Sequence, residues 1–231
     1  MNDEHSAAVR VQVSRDGPYR VSGNLPLGEH IIGANAAGES VEWRRGRDFP
    51  RQQQYALCRC GHSAHKPFCD GTHGRVGFDG TETASRAPYR EQAKVIRGPA
   101  MTLTDAESLC SSARFCDPNG SVWNLVNSTE QDASGRFTRQ TCDCPSGRLV
   151  AWENATGQRI EPRYEPSISI VQDPANGCSG PLWLRGGVPL FSDDGFAYEV
   201  RNRMTLCRCG ASNNKPFCDG SHVSTGFNDR N

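Results

Sequence analysis

The chain contains 231 residues, and its 26 lysines and arginines balance 26 aspartates and glutamates. This neutrality argues against a nucleic-acid partner and against binding to a membrane surface. Hydrophobic residues make up only 35% of the chain, beside 24 glycines and 14 prolines, which argues against one large core and favours small, loop-rich modules that need a staple.

Eleven cysteines could supply that staple. The first residues, MNDEHSAAVRVQV, lack the apolar stretch of a secretory signal, and no run approaches the ~18 apolar residues of a membrane span. We therefore expect a cytoplasmic protein, in which thiols stay reduced and clustered cysteines bind metal more often than they form disulfides. A disulfide framework is the alternative.

The first predicted element is a β-hairpin in GPYRVSGNLPL, residues 17–27, which contains an alternating strand, a glycine turn and a short second strand. A connection of residues 28–54 leads to the cysteine segment CRCGHSAHKPFCDGTH, residues 58–73. The stretch 74–90 that follows is predicted to be a loose linker.

Two helices and two strands are predicted in the middle of the chain. TDAE, residues 104–107, matches a capping box and predicts a helix start, and SGRFTRQTC predicts a second helix. RLVAWEN and SISIV have the pattern of strands bounded by turns.

Both features of the first module return near the end of the chain, as GPLWLRGGVPL at 180–190 and CRCGASNNKPFCDGSH at 207–222. The two cysteine segments align without a gap and share the sequences KPF and CDG. Two copies in one chain predict a pseudo-two-fold pair, and therefore a monomer that is an internal pseudo-dimer.

The spacing C-x-C-x8-C-x3-H predicts two ligand pairs in each segment. Residues two apart on an extended chain point to one side, which pairs Cys58 with Cys60. Residues four apart on a helix share a face, which pairs Cys69 with His73, and Pro67 suits the first position of that helix. The second copy offers the same pairs as Cys207 with Cys209 and Cys218 with His222.

Two pairs suit a two-iron cluster, with one pair on each iron. The alternative is a single zinc ion bound by three cysteines and one histidine, although structural zinc sites usually space the first pair C-x2–4-C.

The two segments resemble the CDGSH iron–sulfur family, whose pattern C-x-C-x2-[ST]-x3-P-x-C-D-G-[SAT]-H is met twice. The resemblance implies one [2Fe–2S] cluster in each segment, bound by three cysteines and one histidine, and it implies redox activity and cluster transfer. The chain is more similar to the soluble tandem members than to membrane-anchored ones.

A histidine ligand has two expected consequences at such a cluster. Neutral imidazole in place of a thiolate makes the site less negative, which raises the reduction potential above that of an all-cysteine ferredoxin. Protonation of His73 or His222 would weaken an iron bond. Nearby, Asp70 and Asp219 are predicted to accept backbone N–H groups, whereas His62 and His65 are predicted surface residues.

The middle segment contains a second set of candidate ligands. CSSARFC places Cys110 and Cys116 before a distant Cys144-Pro145, as in a bacterial ferredoxin run in which Ala113 replaces the middle cysteine. This arrangement resembles the divergent 4Fe–4S mono-cluster family over roughly residues 103–154.

The resemblance implies a [3Fe–4S] cluster on these three cysteines, or a [4Fe–4S] cluster with Cys142 as the fourth ligand. The alternative is a set of buried thiols in a domain that has lost its cluster. Cys178 is predicted to be a loop thiol with no cluster role.

We expect an α+β protein in which two β-rich CDGSH modules, residues 1–98 and 166–231, flank a small ferredoxin-like insert, residues 99–165. The favoured function is a carrier of electrons or iron–sulfur clusters, with a redox partner or an apo-acceptor protein. An enzyme is less favoured, because the chain lacks dinucleotide, phosphate-loop and nucleophile-elbow motifs. The alternatives are a redox enzyme component with an unseen cofactor and a zinc-stapled interaction module.

Overall fold

The computed structural model describes residues 8–230 and shows a mixed α and β protein that is rich in strands. The first seven residues lie outside the described residues. They are part of the predicted N-terminal module and of the stretch that lacks a secretory signal pattern. The strands are β1 (Arg10–Val13), β2 (Tyr19–Ser22), β3 (Leu27–Ala34), β4 (Ser40–Asp48), β5 (Gln54–Leu57), β6 (Lys94–Arg97), β7 (Met101–Asp105), β8 (Leu149–Glu153), β9 (Arg159–Ile160), β10 (Ser167–Asp173), β11 (Cys178–Arg185), β12 (Leu190–Phe191) and β13 (Arg203–Leu206).

The helices are few and short. They are α1 (Thr72–Arg75), α2 (Tyr89–Gln92), α3 (Val122–Leu125), α4 (Ala133–Asp143) and α5 (Ser221–Ser224), with single 3-10 turns at Glu107–Leu109, Pro118–Gly120 and Pro174–Asn176. None of the helices in residues 8–230 has the length and apolar character needed to cross a membrane.

The strands form three sheets. The first has the order β12-β1-β2-β5, the second β13-β11-β10-β3-β4 and the third β6-β7-β8-β9. The first two sheets each combine strands from both ends of the chain, whereas the third consists of consecutive strands between residues 94 and 160.

The predicted hairpins are wrong, because in each module the second strand joins the sheet of the other module. β2 pairs with β1 and β5, while β3 pairs in parallel with β10 of the C-terminal module; likewise β12 pairs in parallel with β1. Proline lacks the N–H that a continuing ladder needs. Pro26 and Pro189 precede the exchanged strands, and their carbonyls accept the N–H groups of Ile168 at 2.9 Å and Val11 at 2.8 Å across the modules.

The exchanged pairs occur at equivalent positions of the two copies. Within the modules, Tyr19 pairs with Leu57 as Leu182 pairs with Leu206. Between them, the pairs are Val11 with Leu190 and Ile168 with Leu27. One apolar cluster therefore contains buried residues of both modules, among them Val11, Tyr19, Leu57, Ile168, Leu182 and Leu206.

Most of the middle segment's sheet packs in a second apolar cluster, in which α3 and α4 cover the third sheet. The buried side chains of this cluster include Leu103, Phe137 and Leu149. The helix predicted in SGRFTRQTC is confirmed as α4, and the strands predicted in RLVAWEN and SISIV are confirmed as β8 and β10.

The predicted helix at TDAE is wrong, because Thr104 lies inside strand β7. The Thr104 hydroxyl is buried and lies 2.9 Å from the hydroxyl of Tyr89, so it does not cap a helix. Only the 3-10 turn Glu107–Leu109 follows the strand.

Residues 74–90, predicted to be a loose linker, are tied to the C-terminal module. The N–H groups of Thr83 and Ala84 donate to the carbonyl of Lys215 at 2.8 and 2.9 Å, and the Tyr198 hydroxyl donates to Glu82 at 2.9 Å. This segment bonds directly to the second cysteine loop.

Candidate metal centres

Each cysteine segment forms a loop directly after a strand, β5 in the first copy and β13 in the second. In the first loop, Cys58 N–H donates to Pro67 O at 2.8 Å and Cys69 N–H donates to Ala56 O at 2.9 Å. The second loop repeats both bonds, from Cys207 to Pro216 and from Cys218 to Thr205. These backbone bonds close the loop and bring its second cysteine pair back beside the strand.

Two cysteine sulfurs lie side by side in each loop. The Sγ atoms of Cys58 and Cys60 are 3.7 Å apart, and those of Cys207 and Cys209 are also 3.7 Å apart. Two thiolates bound tetrahedrally at about 2.3 Å to one metal are separated by roughly this distance.

A cysteine and a histidine form the second pair in each loop. The distance from Sγ to Nδ1 is 3.4 Å for Cys69 with His73 and 3.4 Å for Cys218 with His222. Nδ1 is the ring atom that faces the sulfur in both pairs.

The predicted reason for this second pairing is wrong, because the helix begins later than expected. Helix α1 starts at Thr72 after Gly71 in a left-handed conformation, so Cys69 and Pro67 precede it and only His73 is helical. Helix α5 begins in the same way after Gly220. The left-handed glycine turns the chain so that the histidine folds back onto the cysteine.

Carboxylates brace both turns, as predicted. Asp70 accepts the N–H groups of Ala64 at 2.8 Å and Thr72 at 3.0 Å, and Asp219 accepts the equivalent N–H groups of Asn213 and Ser221. Bonds from Thr72 lower the pKa of Asp70 well below its usual range.

The environments of the candidate ligands also set their charge. Burial raises the pKa of Cys60 to about 11. Burial, reinforced by the nearby Arg208 charge, lowers the pKa of His222 to about 4, so that this ring is neutral at pH 7. Neutral imidazole is the form that binds metal.

The two loops contact each other through their glycines. A Cβ at Gly61 would lie 2.5 Å from the carbonyl oxygen of Cys209, and a Cβ at Gly210 would lie 2.5 Å from that of Cys60. Both glycines have positive φ values, +80° and +83°. The contact is therefore reciprocal. Each position requires glycine because a side chain would clash with the other loop and because the backbone has a positive φ.

Tyr19 reaches from the N-terminal module to the second loop. Its buried hydroxyl lies 2.7 Å from Cys207 O and 3.0 Å from Pro216 O. The repeat has leucine at the equivalent position, Leu182, so this support is one-sided.

Three of the four middle cysteines line one small cavity. These are Cys110, Cys116 and Cys144, together with Ala113 at the position where a ferredoxin run has cysteine. Burial raises the pKa of Cys116, and Asp117 and Cys144 raise it further.

Cys142, predicted as a fourth ligand, does not line this cavity. It lies in the last turn of α4, and its Sγ is 3.9 Å from Ile160 O of β9. Cys144 follows the end of the helix, where the chain changes direction toward the cavity.

Two arginines that contact the middle segment were not foreseen from the sequence. Arg148 lines the cavity and binds both carboxylate oxygens of Asp105, at 2.6 and 2.9 Å. Arg203, which is fully buried, donates to Cys144 O at 2.7 Å and to Glu161. Arg203 belongs to β13, so it joins the middle segment to the strand that precedes the second loop.

The remaining predictions concern residues away from these donors. His62 and His65 are exposed, as predicted. Cys178, predicted as a loop thiol, is instead the buried first residue of β11. All eleven cysteines lie within the described residues, and each is a free thiol.

Within residues 8–230, no group of three or more His, Cys, Asp or Glu side chains converges in the way that a single metal ion requires. Instead, each loop contains two close pairs of donor atoms, one of two cysteine sulfurs and one of a cysteine sulfur and a histidine nitrogen. In a two-iron cluster each iron takes one such pair, so the donor set and its distances fit that group.

The fold and these donors define a protein with two loops that each hold a cysteine pair and a cysteine–histidine pair, and with a cysteine-lined cavity in the middle segment. Comparison with protein families agrees: the family described as iron-binding zinc finger CDGSH type matches residues 16–74 and 179–223, and the family described as divergent 4Fe-4S mono-cluster matches residues 96–154. The chain therefore contains two CDGSH-type regions on either side of a region of the divergent 4Fe-4S type. No curated protein matches the chain.

Proposed function

We propose that this iron–sulfur protein binds two [2Fe–2S] clusters, each by three cysteines and one histidine. The ligands are Cys58, Cys60, Cys69 and His73 in the first loop, and Cys207, Cys209, Cys218 and His222 in the second. The observation that carries the proposal is the pair of short donor distances in each loop, 3.7 Å between sulfurs and 3.4 Å between sulfur and Nδ1, repeated in both copies.

We also propose that the two CDGSH modules form a pseudo-two-fold pair within one chain. The support is reciprocal contact, which is the mark of a two-fold interface. Strands are exchanged at equivalent positions in both directions, and each loop glycine meets the other loop's cysteine carbonyl. Such a chain needs no second copy to complete its sites.

A [3Fe–4S] cluster on Cys110, Cys116 and Cys144 is the proposed occupant of the middle cavity. Three cysteines line one cavity, Ala113 offers no fourth ligand, and the Cys142 sulfur lies against Ile160 of β9. Each iron of such a cluster takes one cysteine, so its ligands are expected to lie further apart than those of a single ion.

The proposed role is transfer of electrons or of iron–sulfur clusters to a protein partner in a reducing, cytoplasmic setting. A [2Fe–2S] cluster supplies a one-electron store when bound. The chain's own residues position it: the loop carbonyl bonds hold the cysteines, Asp70 and Asp219 brace the turns, and burial keeps His222 neutral.

The visible and EPR spectra of anaerobically purified protein test this proposal. We expect a red-brown protein that gives an S = 1/2 signal after reduction, with ¹⁴N couplings from the imidazole ligands in pulsed EPR. The His73→Cys, His222→Cys double variant should keep the colour and lose the nitrogen couplings. A colourless protein that contains zinc, or a signal whose nitrogen couplings persist in the double variant, would contradict the assignment.

A further inference from the structure

The two CDGSH loops match in sequence but differ in what covers their cysteine–histidine pairs. Cys218 and His222 are 2% and 3% exposed, whereas Cys69 and His73 are each only half-buried. The other pair does not share this difference, because Cys60 is buried and its counterpart Cys209 is half-buried. The greater exposure of the first loop is therefore confined to its cysteine–histidine pair, which is the pair proposed to bind one of the two irons.

The cover over the second loop comes from the middle segment. A Cβ at Gly220 would meet the side chain of Ser112, with 3.1 Å between the two Cβ positions, and would lie 3.8 Å from Cys110 O. At the equivalent Gly71, a Cβ would meet nothing within 4 Å. Asn214, in the same loop, donates to Ser108 O at 2.7 Å, so residues 108–112 lie along this loop.

The segment after the second loop is also more firmly held. Arg208 forms a buried ion pair with Asp229, and Asp229 in turn accepts a bond from Gln172 at 2.9 Å. The first loop has Arg59 at the equivalent position, and it bonds to the backbone carbonyl of Gly80, which replaces Asp229 in the alignment.

The first loop, in contrast, opens onto the surface. His73 lines a shallow depression with Gly74, Gly77 and Asp79. An incoming group can reach the ring of His73 through this depression without displacing another segment of the chain.

We propose that the N-terminal site releases its [2Fe–2S] cluster rapidly to an external acceptor protein, whereas the C-terminal site, covered by residues 108–112, releases its cluster slowly. This inference rests on the proposed function, since it requires both loops to hold clusters. Opening a covered site adds the cost of moving the cover before any ligand can exchange.

The transfer is a ligand exchange without change in oxidation state. Four thiols of the acceptor lose their protons and bond to the two irons, while the bonds to Cys58, Cys60, Cys69 and His73 break. Three of the protons return to the freed cysteines, and the fourth goes to the imidazole or the solvent. The first bond to break is the one to His73, because it faces the opening.

The test follows transfer from the holoprotein to an apo plant-type ferredoxin, whose visible circular dichroism reports its own [2Fe–2S] cluster. Iron and sulfide are counted first, so that absence of clusters would contradict the proposed function and not this inference. With clusters present, we expect two phases that differ in rate by roughly tenfold. The His73→Cys variant should slow the fast phase alone, and His222→Cys should alter the slow phase alone.

Ser112→Gly removes the side chain that covers Gly220, at a positive φ of 55° that glycine adopts freely. It should accelerate the slow phase by several-fold and leave the fast phase unchanged. Ser121→Gly is the matched control, since Ser121 has a φ of 57° in the same middle segment and should change neither phase. A single phase, a fast phase that responds to His222→Cys, or equal effects of the two serine variants would overturn the proposal.

Discussion

The flanking loops and the middle cavity present their cysteines in different ways. In each flanking loop, donors come in close pairs on a short stretch of chain, held by bonds within that stretch and its strand. In the middle, Cys110 and Cys116 meet Cys144 across the segment, and the buried Arg203 of another module holds the backbone beside Cys144. A local site can be identified from spacing, whereas a dispersed one depends on the fold around it.

The contact between the two loops gives the largest expected effect. Gly61→Ala places a methyl group 2.5 Å from the Cys209 carbonyl at a positive φ, so we expect loss of colour from both loops and a large fall in melting temperature. Gly71→Ala has a similar φ of +86° but open space, and should cost only the left-handed strain of roughly 1–2 kcal/mol. Equal thermal shifts in the two variants would show that the loops do not press on each other.

The middle cavity can be separated from the flanking loops by two cysteine variants. Cys144→Ser removes a proposed ligand of the middle cluster and should lower the iron content by about three per chain, with the signals of both proposed [2Fe–2S] clusters retained. Cys142→Ser, only two residues away, should leave the iron content unchanged because its sulfur faces Ile160. Loss of iron in the Cys142 variant alone would place the cluster on the other side of α4.

The proposed histidine ligands should give the flanking loops a higher reduction potential and a greater sensitivity to acid than all-cysteine sites have. The His73→Cys, His222→Cys double variant adds a negative charge at each cluster, and we expect its reduction potentials to fall by on the order of 100 mV or more. Acid should bleach the double variant more slowly, because a thiolate ligand takes up a proton less readily than imidazole. Spectroelectrochemistry measures the first effect. Unchanged acid bleaching would mean that other ligands are the labile ones.

The smallest predicted effect concerns the hydrogen bonds from Tyr19 of the N-terminal module to the second cysteine loop. Tyr19→Phe removes the hydroxyl that contacts the carbonyls of Cys207 and Pro216, and should reduce the free energy of unfolding by about 1–3 kcal/mol. Cluster loss should accelerate at the second loop only. Tyr55→Phe, which loses a half-buried bond to Leu25 O within the N-terminal module, is the control. A first-loop effect of Tyr19→Phe equal to its second-loop effect would contradict this one-sided support.

Much of the flanking sites could be predicted from the sequence because their geometry is short-range. The spacing predicted that Cys69 and His73 pair, but it did so by placing both residues on one helix. The helix begins only after Gly71, so Cys69 lies outside it. The pairing partners of β3 and β12 could not be predicted. Whether each strand forms a hairpin or joins the other module depends on strands more than 130 residues away in sequence. Cys142 and Cys144 are separated by the end of α4, and sequence alone does not locate a helix end to the single residue.

Counting iron, zinc and acid-labile sulfide in the anaerobically purified chain tests the central claim most directly. Two [2Fe–2S] clusters and one [3Fe–4S] cluster predict about seven irons and eight sulfides per chain, with negligible zinc. About four irons and four sulfides would retain the flanking clusters and remove the middle one. Zinc near two per chain without sulfide would contradict the account, because the paired donors would then serve single ions.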